Sequence, residues 1–240
     1  AQGSLLVFKK GRSTPKEPVL LAAHMDEVGV VIREIDDEGY LRFGFLGGVD
    51  RRVVIGKRVW IGKNRIPGLI GMKPIHLTTA DERKTMPKLK DLYIDIGAAD
   101  GDEARGLVQL GDYGVFDDRV LTLQNDMIRA KAIDDRVGCA IAVELLRRSA
   151  QAQADLYVVF TVQEEVGIRG AGVAAFAIAP ELAVAIDVTG ASDLPGCENG
   201  ATKVGAGPIV KTLDRSTISH PMVTGLLEQS AVALGIEVQH

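Results

Sequence analysis

Asp155–Leu156–Tyr157–Val158–Val159–Phe160–Thr161–Val162 is an apolar run that gives way to Gln163–Glu164–Glu165. A small-residue stretch from Gly170 to Ile178 then stops before Pro180, and Glu181–Leu182–Ala183–Val184–Ala185–Ile186 runs into Asp187. In that order the segment spells strand, turn, helix, strand. Both apolar runs are nearly continuous rather than alternating, the pattern of a strand covered by helices on both faces. A helix between two such strands predicts an α/β sheet with parallel strands at its centre. Working outward, Pro18–Val19–Leu20–Leu21–Ala22–Ala23 is another strand of the same kind. From Arg136 to Ser149, residues Val137, Ala140, Ile141, Leu145 and Leu146 fall on helical spacing. That helix closes on Arg147–Arg148, as its dipole prefers at a C-terminus.

Residues 37–117 break the rhythm. Short runs such as Tyr40–Leu41–Arg42–Phe43–Gly44–Phe45 and Arg58–Val59–Trp60–Ile61 are punctuated by glycines, which predicts small β-rich structure with tight turns. Sheet-like patterning resumes on both sides, so the expectation is a β domain over 37–117 inserted into an α/β domain made of 1–36 and 118–240. Within it, Thr79 to Asp91 is polar and contains Pro87, and is expected to be a surface loop.

The chemistry-bearing residues fall where strands end. His24, with Asp26 and Glu27, follows the first strand, Glu164 and Glu165 follow the second, and Asp187 ends the third. Carboxyl ends of parallel strands line the functional crevice of an open α/β sheet, so these groups should converge, with Asp134 and Asp135 joining from the start of a helix. Taken singly, each has a plainer reading. Asp134 could be a helix N-cap, Glu164–Glu165 a solvated turn, Asp187 the start of a turn and His24 a hydrogen-bonded structural residue. Taken together, several acids in one crevice would repel one another and would not stay ionised without cations. One imidazole among carboxylates suits zinc, cobalt or manganese.

Composition narrows the function classes. The 240 residues are 46% hydrophobic and 25% charged, with a formal net charge of −4. These are globular values and give no basic face for nucleic acid. The apolar stretches are too short to span a bilayer, so no membrane partner is expected and the reading is a soluble, cytoplasmic protein. The two cysteines, Cys139 and Cys197, offer neither a disulfide framework nor a thiolate metal cluster. Cys139 sits in an apolar run and is read as a small buried hydrophobe.

The segments Ala23–His24–Met25–Asp26–Glu27–Val28–Gly29, Lys131–Ala132–Ile133–Asp134–Asp135–Arg136–Val137–Gly138 and Gln163–Glu164–Glu165–Val166–Gly167–Ile168–Arg169–Gly170–Ala171 resemble the M42 family of metallo-aminopeptidases. Asp91–Leu92–Tyr93–Ile94–Asp95–Ile96–Gly97–Ala98 and Gly205–Ala206–Gly207–Pro208 look like further signatures of it. The resemblance implies a three-layer α/β/α peptidase domain with an inserted PDZ-like β domain that mediates assembly. It implies two divalent metal ions, zinc or cobalt, and hydrolysis of N-terminal residues from peptide substrates. Assembly as a homo-oligomer, dimers forming a hollow dodecamer, is implied as well. By the family pattern Asp134 bridges the metals, His24 and Asp187 complete one, Glu165 binds the other, Asp26 orients His24 and Glu164 is the general base. The Asp134–Asp135 peptide is expected to be cis. The chain departs from the pattern at both ends and is expected to lack the segment carrying the last histidine ligand. His76, His220 and His240 are not read as substitutes. Other readings are a deacylase or carboxypeptidase on the same metal platform, an endoglucanase, as some relatives are labelled, and an inactive assembly subunit.

Overall fold

A computed structural model describes residues 2–12, 18–117, 119–149, 152–197, 200 and 202–240. Asp118, where the second part of the expected α/β domain begins, lies outside the described residues. The chain forms two compact units, Ala1–Asp187 and Val188–His240.

The first unit contains a sheet and a barrel. In chain order the strands are β1 (Leu5–Lys9), β2 (Val19–His24), β3 (Gly29–Ile35), β4 (Leu41–Leu46), β5 (Arg58–Ile61), β6 (Ile66–Met72) and β7 (Leu92–Asp95). A short helix, α1 (Gly101–Leu107), precedes β8 (Tyr113–Phe116), and the two-residue strands β9 (Leu121–Thr122) and β10 (Ile128–Arg129) form a hairpin. Helix α2 (Ile133–Arg148), β11 (Leu156–Thr161), α3 (Arg169–Ile178) and β12 (Leu182–Ala185) complete the unit.

The sheet has the order β1-β11-β2-β12. Its last three strands are parallel, as the βαβ reading requires, whereas β1 adds an antiparallel edge. Strand β11 is buried along most of its length, and Leu156, Val158 and Phe160 pack with Ala142 of α2. The expected coverage of both faces does not extend to β12, where Ala183 and Ala185 are exposed. Among the described residues β12 pairs with β2 alone, and its exposed side chains are the two small alanines, which present little surface to bury.

The register sets the site. Thr161 is level with His24, and Ala185 with Ala22. Two residues further along each strand bring Asp187 level with His24. The peptide following Thr161, the one following His24 and the one following β12 therefore emerge from the same edge, as parallel pairing in this register demands.

Strands β3-β4-β7-β6-β5-β8 close into a six-stranded barrel. Its interior follows strand alternation: Val30 and Ile32, Leu41 and Phe43, Val59 and Ile61, and Leu92 and Ile94 point inward and are buried. The barrel begins with Gly29–Ile35, which lies ahead of the 37–117 limits expected for the β-rich insertion. Thr79 to Asp91 is largely exposed and carries two single-turn 3-10 helices, Glu82–Lys84 and Leu89–Asp91.

In the second unit α4 (Pro221–Leu234) starts with proline in its first turn, and His220 caps it by accepting a hydrogen bond from the Met222 N–H at 3.2 Å. Gly235, at φ +65°, closes it in the left-handed region that glycine adopts readily. Among the described residues no helix is long and apolar enough to cross a membrane.

Candidate metal centre

His24 is the last residue of β2 and is 3% exposed, so its ring is oriented by what surrounds it. Nε2 lies 2.8 Å from Asp134 Oδ1, 3.8 Å from Asp187 Oδ1 and 3.9 Å from Glu164 Oε2. The other nitrogen, Nδ1, faces Asp26, 3.2 Å from its backbone oxygen and 3.5 Å from carboxylate Oδ1. His24, Asp134 and Asp187 each offer a donor atom, all within 4.8 Å of one another.

Asp134 reaches this position because α2 begins irregularly. Ala132 is left-handed, Asp134 and Asp135 have non-helical backbone angles, and the peptide bond between them is cis, as the family resemblance implies. The side chains of these neighbours serve different ends. Asp134 turns to the His24 ring, whereas Asp135 is fully buried and accepts the backbone N–H groups of His24 (3.2 Å) and Gly138 (3.0 Å). Asp135 thus ties the end of β2 to the first turn of α2. Cys139, one residue beyond Gly138, is half-buried and donates its thiol to the His24 carbonyl at 3.1 Å. Lys131 pairs with Glu27 at 2.7 and 2.8 Å, a second clasp between the same two segments.

The Glu164–Glu165 turn is held from below. Asp26 Oδ1 accepts the Glu164 N–H and Oδ2 the Glu165 N–H, each at 3.2 Å. The family resemblance implies that Asp26 orients the His24 ring. In the structure its carboxylate serves the turn through two hydrogen bonds, and its backbone oxygen is the nearer partner of Nδ1. The glutamates differ in position: Glu164 faces His24, whereas Glu165 lies beside Gly47 of the barrel and outside the His24–Asp134–Asp187 trio. Asp135, expected to join the strand-end acids beside Asp134, instead spends its carboxylate on the two backbone N–H groups and is not one of the trio. Lys131 and Gly47 received no role from the sequence. The readable signals were the acid-x-x-Gly spacing of Asp135 and Gly138 and the Gly47–Gly48 doublet.

The electrostatics follow from this crowding. Burial raises the Glu164 carboxyl above the ordinary carboxylate range; His24 opposes this, and the charges of Asp187, Asp134 and Asp26 add to it. Burial raises Glu165 too, reinforced by Asp134. Asp135 is pushed up to about 6, mainly by burial and then by Asp187, against its two backbone hydrogen bonds. Burial works against a charged His24, but the Asp134 hydrogen bond and the surrounding carboxylates outweigh it and raise its pKa. All four groups therefore hold protons more tightly than they would in water. An imidazole among carboxylates that resist joint ionisation fits a divalent cation, whose charge would let the ionised forms coexist.

The family model of the M42 glutamyl aminopeptidases matches residues 3–240. A candidate aminopeptidase of Acetivibrio thermocellus is 43% identical over 238 residues, 99% of this chain and 69% of that protein. Among solved structures, a TET aminopeptidase from the archaeon Thaumarchaeota archaeon SCGC AB-539-E09 superimposes with a TM-score of 0.92 at 35% identity, covering 99% of this chain and 68% of that one. The Pyrococcus horikoshii TET1 peptidase, which can assemble into a tetrahedron or a large octahedral shell, gives 0.84 at 33% identity, over 98% and 71%. The chain thus spans about two thirds of the length of these relatives, and with the family model matching residues 3–240 it belongs to the M42 aminopeptidase family.

Proposed function

We propose that the protein is a metal-dependent aminopeptidase that uses two divalent ions, zinc or cobalt, and Glu164 as general base. The observation that carries this reading is the convergence of His24, Asp134 and Asp187 within 4.8 Å, with the Glu164 carboxylate 3.9 Å from the same imidazole nitrogen. His24 and Asp187 would hold one ion, Glu165 the other, and Asp134 both. Such ions supply acidification of water and polarisation of a carbonyl oxygen.

The remaining work falls to the chain. Glu164 stands among the ligands, and burial raises its proton affinity, which suits a base that takes the proton of the attacking water and returns it to the leaving amine. Asp26 fixes the backbone of both glutamates, so a base and a ligand on adjacent residues keep a constant spacing. Asp135 and Cys139 hold the His24 backbone from either side and leave its ring free to coordinate.

At the level of the whole molecule, our reading is a three-layer α/β/α peptidase domain carrying a PDZ-like barrel that mediates homo-oligomer assembly in the cytoplasm. The shells formed by the Pyrococcus horikoshii relative support the assembly, and the barrel's closure within the chain supports its being an insertion. The test is hydrolysis of leucine-, glutamate- and lysine-terminated chromogenic amides beside their N-acetylated forms, with and without a chelator. Cleavage of free-amine substrates alone, lost on chelation and restored by zinc or cobalt, is expected. Equal cleavage of acetylated substrates, or turnover that survives chelation, would overturn the reading.

A further inference from the structure

We propose that Gly47, in the barrel, is a positioning residue for Glu165: its missing side chain leaves the one slot in which the Glu165 carboxylate can lie. The inference rests on the reading of Glu165 as a metal ligand. Gly47 follows β4 at φ +86°, and its carbonyl accepts the Val49 N–H at 3.2 Å in a tight turn. A Cβ placed there would lie 2.8 Å from Val28 Cγ1 and 3.1 Å from both Cβ and Oε2 of Glu165. Contact with both the root and the tip of that side chain means the Gly47 backbone runs alongside it.

Glu165 is thereby confined from two directions. Its backbone is set by the Asp26 carboxylate at the edge of the sheet, and its side chain is bounded by the barrel. A carboxylate with four-bond reach from its backbone needs such a wall if it is to present one oxygen in one direction, because rotamer freedom would otherwise be lost only when the ion binds. The backbone angle by itself favours glycine, and the Glu165 contact is a second, separate demand on this position. Gly56 has a similar backbone, φ +78°, with nothing within 4 Å of a Cβ, and Gly48 is likewise open. At Gly47 both the backbone angle and the absence of a side chain matter, and Gly56 separates the two.

The experiment is Co²⁺ titration of the chelated protein, followed by visible absorbance and by competition with a chelator, on the wild type, Gly47→Ala, Gly56→Ala and Glu165→Gln. Glu165→Gln should weaken one cobalt ion. Gly47→Ala should weaken the same ion about 10- to 100-fold, the usual effect of losing a residue that orients a ligand, and alter its absorption band. Gly56→Ala should stay within about twofold. If Glu165→Gln leaves cobalt binding unchanged, the ligand reading fails and this inference with it. If Glu165→Gln weakens binding while Gly47→Ala behaves like Gly56→Ala, only the positioning role is overturned. Should Gly47→Ala not fold, the double variant Gly47→Ala/Glu165→Ala decides: recovery of folding identifies the Glu165 contact as the conflict, and persistent misfolding assigns it to the backbone angle or to Val28 and overturns the proposal.

Discussion

Glu164 and Glu165 are neighbours of the same chemistry whose surroundings assign them different work. Glu164→Gln keeps the size of the side chain and removes its ability to accept a proton, so hydrolysis should fall by about 10² to 10⁴ while cobalt binding stays unchanged. Near-normal turnover in the metal-loaded variant would assign the base elsewhere. The four proton-retaining groups of the pocket also set a pH dependence. Asp135, raised from 3.8 to about 6, costs stability when ionised, and that cost disappears as pH falls through 6 toward 3.8. Glu164 and Glu165 act in the same sense. A raised His24 adds stability below 6.5 that is lost as pH rises through its folded value. The thermal midpoint of the chelated protein should therefore rise as pH is lowered from about 7.5 to about 5, whereas the increment conferred by metal should shrink because protons compete for the ligands. Calorimetry with and without chelator measures both slopes. A chelated protein that loses stability over this interval would contradict the assigned shifts.

Two helices show how one substitution changes sign with its place. Gly172 in α3 has nothing within 4 Å of a Cβ, so Gly172→Ala should stabilise the fold by about 0.5 to 1 kcal/mol through the ordinary helix preference. Gly138 in α2 lies against the Asp135 carboxylate, which a Cβ there would displace from its two backbone donors. Gly138→Ala should destabilise by about 1 to 3 kcal/mol, the cost of leaving buried donors unsatisfied. Urea unfolding of both variants gives the signs, and stabilisation at Gly138 would mean that Asp135 does not need its place. The same contrast explains what could be read in advance. Strands β2, β5, β11 and β12 and helix α2 declared themselves because local periodicity or apolar continuity encodes them. Strand β3 is apolar, but its membership of the barrel depends on pairing with Gly114, more than eighty residues away, which no local pattern records. Leu5–Lys9 and α4 passed unnoticed, although His220–Pro221 was an available start signal for α4. Within the site, strand ends announced His24, Glu164, Glu165 and Asp187. Asp135 and Gly47 act through backbone hydrogen bonds and close approach, and these exist only after folding.

At the scale of the molecule, the barrel leaves and rejoins the chain through adjacent strands. Val30 of β3 pairs with Gly114 of β8, so Val28 and Asp117 emerge about one strand spacing apart. Residues 29–116 should be replaceable by a linker of about two glycines without opening the β1-β11-β2-β12 sheet, and the shortened chain should form smaller assemblies. Light scattering measures this, and an unchanged number of subunits would reject the barrel as the assembly element. The hydrogen bond from Cys139 to the His24 carbonyl has a practical consequence. Burial raises the Cys139 thiol, so little of it is the nucleophilic thiolate near neutral pH, whereas Cys197 is exposed to solvent. A maleimide offered to the native protein should label Cys197 first and Cys139 much more slowly, the difference disappearing on unfolding. The natural sequence thus provides a preferred address for a fluorophore or spin label, with the thiol nearest the ligands the slower to react.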